Sequence, residues 1–384
     1  MITQPNYMRI PDLRIALFTG AYNHIADGVS LTLNRLVDYL GHKGAEVRVY
    51  APTIERPALQ HAGTLVPVRS IQAPGRPDYR VSLGLTREAQ RDLTAFRPNL
   101  FHIATPDFLG LSAIRLARRS RTMVVASYHT HFASYLDYYR LGALETPTWA
   151  YLRWFYNGCR HVYVPTPSML QVLVDHGVKS ELKLWPRGVE SDVFNPARRS
   201  LEWRRSLGFS DDDVVVAFVS RLVAEKGLDV VEGVAKGLHE SGTVHRILIV
   251  GDGPERGSLQ RAMPTAVFAG HLKGETLATA YASSDVFLFP SETETFGNVT
   301  LEAMSSGLPA VVADATGSNA LVDHEVTGFL APPRDSSAFL GFVTRLVEDE
   351  DLRHSMGQAA RVAAEKYEWS RVLGMITSYY EELA

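Results

Sequence analysis

Short apolar runs alternate with stretches of helical periodicity along the first half of the chain. Aliphatic and β-branched runs predict strands, and a run with apolar positions spaced three and four apart predicts a helix at 29–40. The predicted strands are 14–18, 46–51, 100–103 and 123–127. Because strands that alternate with helices are typical of a helix-covered parallel sheet, the first half predicts one doubly wound α/β domain.

The same alternation restarts in the second half. Its predicted strands are 214–219, 247–250, 266–268, 286–289 and 310–312, each followed by a helical stretch. Between the halves, Pro and Gly interrupt any periodicity from Trp185 to Glu190 and again at Asn195-Pro196. We therefore predict an N-terminal domain at 1–188, a C-terminal domain at 189–368, and an amphipathic final helix at 369–384 that packs back on the first domain.

Length and composition agree with two globular domains. The 384 residues exceed what one hydrophobic core usually serves, and the 46% hydrophobic and 21% charged content is ordinary. Cys159 is the only cysteine, which excludes an internal disulfide and a cysteine-based metal site and fits a reducing compartment. No apolar run is long enough for a membrane span, and the first residues lack a signal-peptide pattern. We expect a cytoplasmic protein.

The net charge of −3 conceals a difference between the two halves. Residues 1–190 hold 22 Lys and Arg against 14 Asp and Glu, whereas residues 191–384 hold 17 against 28. A basic first half is compatible with an anionic partner, either a membrane surface or an acidic acceptor, or with ordinary variation between domains. The first interpretation predicts peripheral attachment to the inner face of the cytoplasmic membrane, and no nucleic-acid partner is expected.

Two cations follow the predicted strand 214–219, at a point where a helix begins. Arg221 and Lys226 lie five residues apart on this loop. Arginine offers a planar fork to phosphate oxygens and lysine a point charge, so the pair suits a diphosphate. A solvated basic loop that pairs with Glu225 or Asp229 is the alternative.

A second loop, at 291–297, follows the predicted strand 286–289 and opens a helix near Asn298. The unpaired amides of Phe296, Gly297 and Asn298 would face whatever lies above the strand end. Eight residues separate Glu294 on the loop from Glu302 in the helix. Carboxylates accept hydrogen bonds from vicinal hydroxyls, so sugar and ribose are plausible partners. Alternatively, Glu294 is a surface acid and Glu302 only interacts with the helix dipole.

The first half offers sparser candidates. Asp27 and Gly28 precede the predicted helix, where Gly28 lets backbone amides approach a phosphate and Asp27 is either an acceptor-facing group or a turn acid. His129 and His131 form a His-x-His pair after the strand 123–127, without a third ligand at recognisable spacing, so no metal is predicted. The aromatic and basic stretch that begins near Tyr135 suits a lipid headgroup or ordinary core packing.

Taken together, these motifs resemble one family across nearly the whole chain: the retaining GT-B glycosyltransferases with a Glu-x7-Glu element, glycosyltransferase family 4. The resemblance rests on SRLVAEKG, the GDGP turn that begins at Gly251, FAGH, ETFGNVTLE, EAMSSGLPAVVAD and GFL. It implies a GT-B fold, an α/β architecture in which two doubly wound Rossmann-like domains face a central cleft. A family Gly-Gly pair is replaced here by Asp27-Gly28.

The resemblance also implies roles for single residues. Arg221 and Lys226 would hold the donor diphosphate, and Glu302 would hold the ribose. Glu294 would contact the transferred sugar, and His129 would form a hydrogen bond with it. Donor contacts are further expected from Gly28, Gly251, Phe296, Gly297 and Asn298, and acceptor contacts from Asp27, His131 and Tyr135.

The implied activity is transfer of a hexosyl group with retention, from a UDP- or GDP-linked sugar to a hydroxyl acceptor. No Asp/Glu pair is placed as nucleophile and acid, so a front-face route without a metal or other cofactor is expected. The resemblance is greatest to enzymes that glycosylate diacylglycerol-type lipids and to GDP-mannose-dependent mannosyltransferases, which favours a lipid acceptor. A soluble sugar or polysaccharide acceptor, or a phosphorylase-like reaction, is the alternative.

Overall fold

A computed structural model describes residues 9–25, 27–73, 76–129 and 142–383. The chain forms two compact units. The first consists of Met1–Pro186 with Ser370–Ala384, and the second of Arg187–Trp369. Each contains one parallel sheet with helices, so the predicted class of two doubly wound α/β domains is confirmed.

The first unit contains nine described strands: β1 Arg14–Phe18, β2 Glu46–Ala51, β3 Thr64–Pro67, β4 Ser70–Ala73, β5 Arg76–Ser82, β6 Leu100–Ile103, β7 Met123–Ser127, β8 His161–Val164 and β9 Glu181–Leu184. Its helices before the second unit are α1 Gly28–His42, α2 Arg87–Phe96, α3 Phe108–Ser120, α4 Glu145–Tyr156 and α5 Pro167–Asp175.

Seven of these strands form a parallel sheet in the order β3-β2-β1-β6-β7-β8-β9. The chain direction across the sheet reverses at β1, which pairs with β2 on one side and with β6 on the other. Ligands of open α/β sheets bind at such a reversal, outside the carboxyl ends of the strands. The remaining strands, β4 and β5, form a separate antiparallel hairpin.

The second unit has six strands: β10 Val215–Val219, β11 Arg246–Val250, β12 Val267–Gly270, β13 Val286–Phe289, β14 Ala310–Ala313 and β15 Gly328–Ala331. Its helices are α6 Leu201–Ser206, α7 Leu228–Glu240, α8 Arg256–Ala262, α9 Gly274–Ala282, α10 Asn298–Ser305, α11 Ser336–Glu348 and α12 Glu350–Ala364. Helix α13, Trp369–Glu381, begins where the chain returns to the first unit.

The second sheet is also parallel, in the order β12-β11-β10-β13-β14-β15. Its reversal lies between β10 and β13, where Val216 is paired with Val286. Every residue of β10, β13 and β14 is buried, because helices cover both faces of the sheet. The reversal brings the loops after β10 and β13, which carry the predicted donor residues, to the same edge of the sheet.

Short 3-10 helices connect several of these elements. They are Ile10–Asp12, Gly142–Leu144, Pro196–Arg198, Ala224–Lys226, Ser318–Ala320 and Glu365–Tyr367. Among the residues the structure describes, no helix is both long and apolar enough to cross a bilayer.

The end of α13 is joined to the first sheet by a buried hydrogen-bond network. The two ring nitrogens of His102 lie 2.6 Å from the Tyr380 hydroxyl and 2.6 Å from the Ser127 hydroxyl. Burial lowers the pKa of His102 to about 3, so the imidazole is neutral and uses one nitrogen as donor and the other as acceptor. The Tyr379 hydroxyl donates to the Leu184 carbonyl at 3.0 Å. The last helix is therefore an integral part of the first unit.

Candidate active site

The loops after β10 and β13 pack directly against each other because a glycine separates them. Gly227 has a φ of +70°, and a Cβ at this position would lie 2.9 Å from the Pro290 carbonyl oxygen. A side chain would push the loops apart and would strain the backbone. The close approach brings Lys226 to Glu294, and their side chains form an ion pair.

This ion pair is largely withdrawn from solvent. The Lys226 side chain is 11% exposed and the Glu294 side chain 18%. The Ser291 hydroxyl donates a further hydrogen bond to the Glu294 carboxylate at 3.2 Å. Burial alone would raise the pKa of Glu294, but Lys226, Ser291 and Arg221 outweigh it and lower that pKa. Glu294 is therefore ionised at neutral pH.

Arg221 supplies the accessible positive charge of these loops. Its side chain is exposed, and it lies near enough to Glu294 to lower the pKa of that carboxyl. The backbone at Arg221 is braced by the loop after β11. Gly251 has a φ of +137°, and a Cβ there would lie 1.8 Å from the Ser220 carbonyl oxygen. Only glycine allows this contact, which fixes the loop that presents the guanidinium.

Helix α10 begins at Asn298, as the sequence predicts, after Gly297 in a left-handed conformation with a φ of +98°. The amides of its first turn have no carbonyl partner in a preceding turn, so they are available to an anion. Phe296 is only 3% exposed, and its ring lies 5.7 Å from that of Tyr367. The Phe296 side chain thus belongs to the core, which leaves its backbone for ligand contact.

Glu302 lies on α10 of the same unit. Its carboxylate accepts a hydrogen bond from the buried Tyr281 hydroxyl at 3.2 Å. Burial raises the pKa of Glu302 to about 7; the Tyr281 bond lowers it and the nearby charge of Glu190 raises it. Glu302 therefore changes charge near neutral pH. A group that supplies donors to the ionised carboxylate would lower this pKa.

Some of these partners could not be found from the sequence. Ser291, Tyr281 and Glu190 were not predicted, although they set the charge states of the two acids. Ser291 stands three positions before Glu294, and this spacing is the one available signal. Tyr281 and Glu190 lie on separate elements, and no local pattern connects them with Glu302.

In the first unit, the structure assigns Asp27 a local role. Asp27 precedes α1 and accepts a hydrogen bond from the Ser30 amide at 2.8 Å, while its own amide donates to the Ser30 hydroxyl at 2.9 Å. This reciprocal arrangement is a capping box, which stabilises the start of a helix. Gly28, the first helical residue, is exposed.

His129 follows β7 at the carboxyl edge of the first sheet. It is 7% exposed, and its ring lies 5.9 Å from that of Trp185. His131 and Tyr135, the other predicted acceptor residues, lie outside the described residues. Of the predicted site residues, the structure brings together Arg221, Lys226 and Glu294.

One group of side chains in the described residues has the spacing of a metal site, and it does not include the predicted residues. It consists of His161, Glu181 and Glu382 in the first unit. Lys183 already lies 2.9 Å and 2.8 Å from the two carboxylates. The Lys183 ammonium bridges the two carboxylates, so an ion-pair network accounts for this group.

Family models match both halves of the chain. Residues 26–193 match the model described as glycosyltransferase family 4, and residues 200–363 match that of glycosyl transferases group 1. The second match contains Arg221, Lys226, Glu294 and Glu302.

Characterised relatives align along most of the chain. The sulfoquinovosyl transferase of Arabidopsis thaliana is 34% identical over 93% of this chain and 71% of its own length. A GDP-mannose-dependent alpha-mannosyltransferase of Corynebacterium glutamicum is 30% identical over 97% and 90%. The alpha-monoglucosyldiacylglycerol synthase of Streptococcus pneumoniae is 26% identical over 83% and 75%.

Solved structures show the same fold at lower identity. The sucrose-phosphate synthase of Thermosynechococcus elongatus superimposes with a TM-score of 0.79 at 19% identity, over 97% of this chain and 99% of that one.

Proposed function

Because this chain belongs to glycosyltransferase family 4, a family of the GT-B fold, we propose that it transfers a hexosyl group to the hydroxyl of a lipid acceptor at a membrane surface. It is a glycosyltransferase that uses nucleotide sugars. We propose in addition that the transferred group is a hexosyl group, that its anomeric configuration is retained, and that the acceptor is a lipid. We further propose that the protein is cytoplasmic and attaches peripherally to the inner face of the membrane.

The observation that carries the donor assignment is the meeting of Lys226, Glu294 and Arg221 at one strand edge. Lys226 is neutralised by Glu294, whereas Arg221 is exposed. We assign both cations to the donor diphosphate. The Lys226 ammonium has three donors, so it can keep the Glu294 contact while it binds a phosphate oxygen.

Glu294 and Glu302 take different parts in this proposal. Glu294 is ionised and held by Lys226 and Ser291, so a sugar hydroxyl can donate to its remaining lone pairs. Glu302 binds the ribose hydroxyls as a carboxylate. The amides at Gly297 and Asn298 face the diphosphate, and Gly251 keeps the Arg221 loop in place.

The chemistry proposed for these residues is electrostatic. As the bond between sugar and diphosphate breaks, negative charge builds on the leaving phosphate, and Arg221 and Lys226 stabilise it more strongly in the transition state than in the ground state. A phosphate oxygen accepts the proton of the attacking hydroxyl. His129 keeps its predicted role as a hydrogen-bond partner of the transferred sugar.

The names of these relatives indicate different donors and acceptors. One is named for GDP-mannose, one for a sulfoquinovosyl group, and one for synthesis of a glucosyldiacylglycerol. We propose diacylglycerol or a glycosyl diacylglycerol as acceptor, with a UDP-sugar or GDP-mannose as donor.

Two measurements test the proposal in sequence. The melting temperature is measured with UDP, GDP and their sugars, because a ligand that binds the native state raises it. The stabilising donor is then incubated with vesicles that contain diacylglycerol, and the coupling constant of the product's anomeric proton gives its configuration.

Glu302→Gln tests the donor site, because loss of this carboxylate should abolish most of the thermal shift. Transfer to diacylglycerol with an α-linked product is the expected result. If donor hydrolysis or transfer to a soluble sugar occurs while the lipid stays unmodified, the acceptor proposal is wrong. An inverted product would contradict the retaining route.

A further inference from the structure

The side chain of His129 lies against the core of the first unit. His129 is 7% exposed and Trp185 1%, and their ring centroids are 5.9 Å apart at an interplanar angle of 55°. Strand β8 holds the backbone beside each ring. The Trp185 amide donates to the Val164 carbonyl at 2.8 Å, and the Tyr128 amide donates to the Tyr163 carbonyl at 2.8 Å. Because packed interiors leave little room for other rotamers, the Trp185 indole restricts the orientations of the His129 imidazole.

Trp185 is in turn supported by two rings that contact the last helix. The centroid of its ring lies 6.3 Å from that of His102 and 6.2 Å from that of Tyr163. Both of these rings lie 6.0 Å from the ring of Tyr380, a fully buried residue of α13. A continuous set of packed aromatic rings therefore leads from α13 through Trp185 to His129.

A chain of hydrogen bonds connects the same helix with the strand that precedes His129. His102 lies between the Tyr380 and Ser127 hydroxyls, at 2.6 Å from each. Ser127 is the last residue of β7, two positions before His129. A neutral imidazole has one donor and one acceptor nitrogen, so both hydroxyls are needed to satisfy it. Without the Tyr380 hydroxyl, a buried nitrogen would be unpaired, and its cost favours a rotation of the His102 ring that disturbs Ser127.

The orientation of the His129 imidazole matters because a hydrogen bond to a reacting sugar is directional. A displacement of about 1 Å in a group that positions the substrate can lower a rate by about a hundredfold. Groups that contact the substrate are kept within such limits by residues that pack behind them. The aromatic rings and the His102 hydrogen bonds are the groups that occupy this place behind His129.

We propose that Trp185 and Tyr380 are positioning residues for His129, which hold its imidazole in the orientation that hydrogen-bonds to the transferred sugar. The inference rests on the role proposed above for His129. Trp185 acts by direct contact with the imidazole, and Tyr380 acts through Trp185, His102 and Ser127. The last helix of the chain thereby contributes to sugar transfer from a buried position in the first unit.

Tyr380→Phe and Trp185→Phe test the inference with the full chain. The first change keeps the ring and removes the hydroxyl, and the second reduces the surface that contacts His129. Each should lower kcat about tenfold, while the Kd of the free nucleotide stays within about twofold, because the nucleotide has no sugar for His129 to contact. Turnover is measured as nucleotide release from the donor, which registers transfer to any acceptor and to water. The result is therefore independent of the proposed lipid.

Tyr50→Phe is the matched control. Tyr50 is fully buried in β2 of the same unit, and its hydroxyl donates to Asp92 at 2.6 Å. This variant also loses one short hydrogen bond of a buried tyrosine, so its melting temperature should fall as that of Tyr380→Phe does, whereas its kcat should stay within about twofold of the wild type. If Tyr380→Phe and Trp185→Phe lower the melting temperature but keep the wild-type kcat, their role is structural only and the inference is wrong.

A double-mutant cycle shows whether the two residues act through His129. His129→Ala should lower kcat about a hundredfold, and the addition of Tyr380→Phe or Trp185→Phe should then have no further effect. Effects that multiply would overturn the inference, because the two residues would then act by another route.

The cycle also separates the inference from the proposed function. Wild-type turnover in His129→Ala would overturn both the inference and the role of His129 with the sugar. Lipid that stays unmodified while nucleotide is released, together with the expected cycle, would support the inference and contradict only the lipid acceptor. In NMR spectra, the imidazole resonance that His129→Ala removes should shift in Tyr380→Phe and stay in place in Tyr50→Phe. A resonance unmoved by Tyr380→Phe would show that α13 does not position the imidazole.

Discussion

The predicted donor residues of the second unit and the predicted acceptor residues of the first differ in how their charges are used. Lys226 and Glu294 are far apart in the sequence, yet they meet in a buried ion pair. Asp27, by contrast, is engaged by the helix that follows it. Charges that two loops assemble at the carboxyl edge of a parallel sheet lie where ligands of such sheets bind. A charge satisfied by its own helix is sufficiently explained by folding.

The largest effect is expected in the second unit, where Lys226, Glu294 and Arg221 meet. Lys226→Ala should lower kcat by about a thousandfold, because it removes charge stabilisation that grows in the transition state. The pKa of Glu294 should rise at the same time, since Lys226 is among the groups that lower it. Steady-state kinetics measure the first effect, with exposed Lys236→Ala as the control. An unchanged kcat would remove Lys226 from the chemistry.

Glu302→Gln should affect binding rather than chemistry. The amide keeps the size of the side chain but loses one acceptor, so donor affinity should fall about ten- to hundredfold, with a smaller change in kcat. Titration calorimetry with the stabilising nucleotide measures the affinity. If the affinity is unaltered, Glu302 does not bind the ribose, and the donor site then consists of Lys226, Glu294 and Arg221.

The same variant should make stability less dependent on pH. The pKa of Glu302 is raised from 4.5 to about 7 in the folded state, so the native protein retains a proton that the unfolded chain releases. The wild type therefore loses stability relative to Glu302→Gln as pH rises from about 4.5 to about 7, and the difference is constant above that range. The melting temperature of the variant should exceed that of the wild type by more at pH 8 than at pH 5. The opposite order would contradict the buried position of the carboxyl.

The smallest effect is expected at Asp27. Asp27→Ala removes the cap of α1 and should cost about 1 kcal/mol of unfolding free energy, whereas Asp27→Asn keeps a capping oxygen and most of the stability. Kinetics of the Asn variant then isolate any contact with the acceptor, which should appear as a severalfold rise in the acceptor KM. An Asn variant with wild-type kinetics would leave Asp27 with its capping role only.

Sequence pattern predicted the central strands well. The runs at 14–18, 46–51, 100–103, 123–127 and 286–289 coincide with strands of the structure, because buried strands of a parallel sheet are rich in aliphatic, β-branched and aromatic residues. Strands β3, β8, β9 and β15 were not predicted, whereas the equally short β6 and β13 were, so strand length alone does not decide whether a strand can be recognised in the sequence. The β4–β5 hairpin is equally inconspicuous in the sequence.

The site was predictable only in part for a related reason. Residues at the ends of strands converge by topology, so Arg221, Lys226 and Glu294 could be predicted as neighbours from the order of elements. The hydrogen bond between Tyr281 and Glu302 depends instead on how α9 packs on α10. Packing of that kind has no repeating signature in the sequence. The pKa of Glu302 therefore became apparent only from the structure.

The network that joins Tyr380 to His102 has a consequence for biosynthesis. His102 is in the middle of the first sheet, but Tyr380 leaves the ribosome only after the whole second unit has been made. Until then, the His102 imidazole lacks one of its two hydrogen-bond partners, and the surface that α13 covers is open to water and to chaperones. The first unit, although translated first, is completed last.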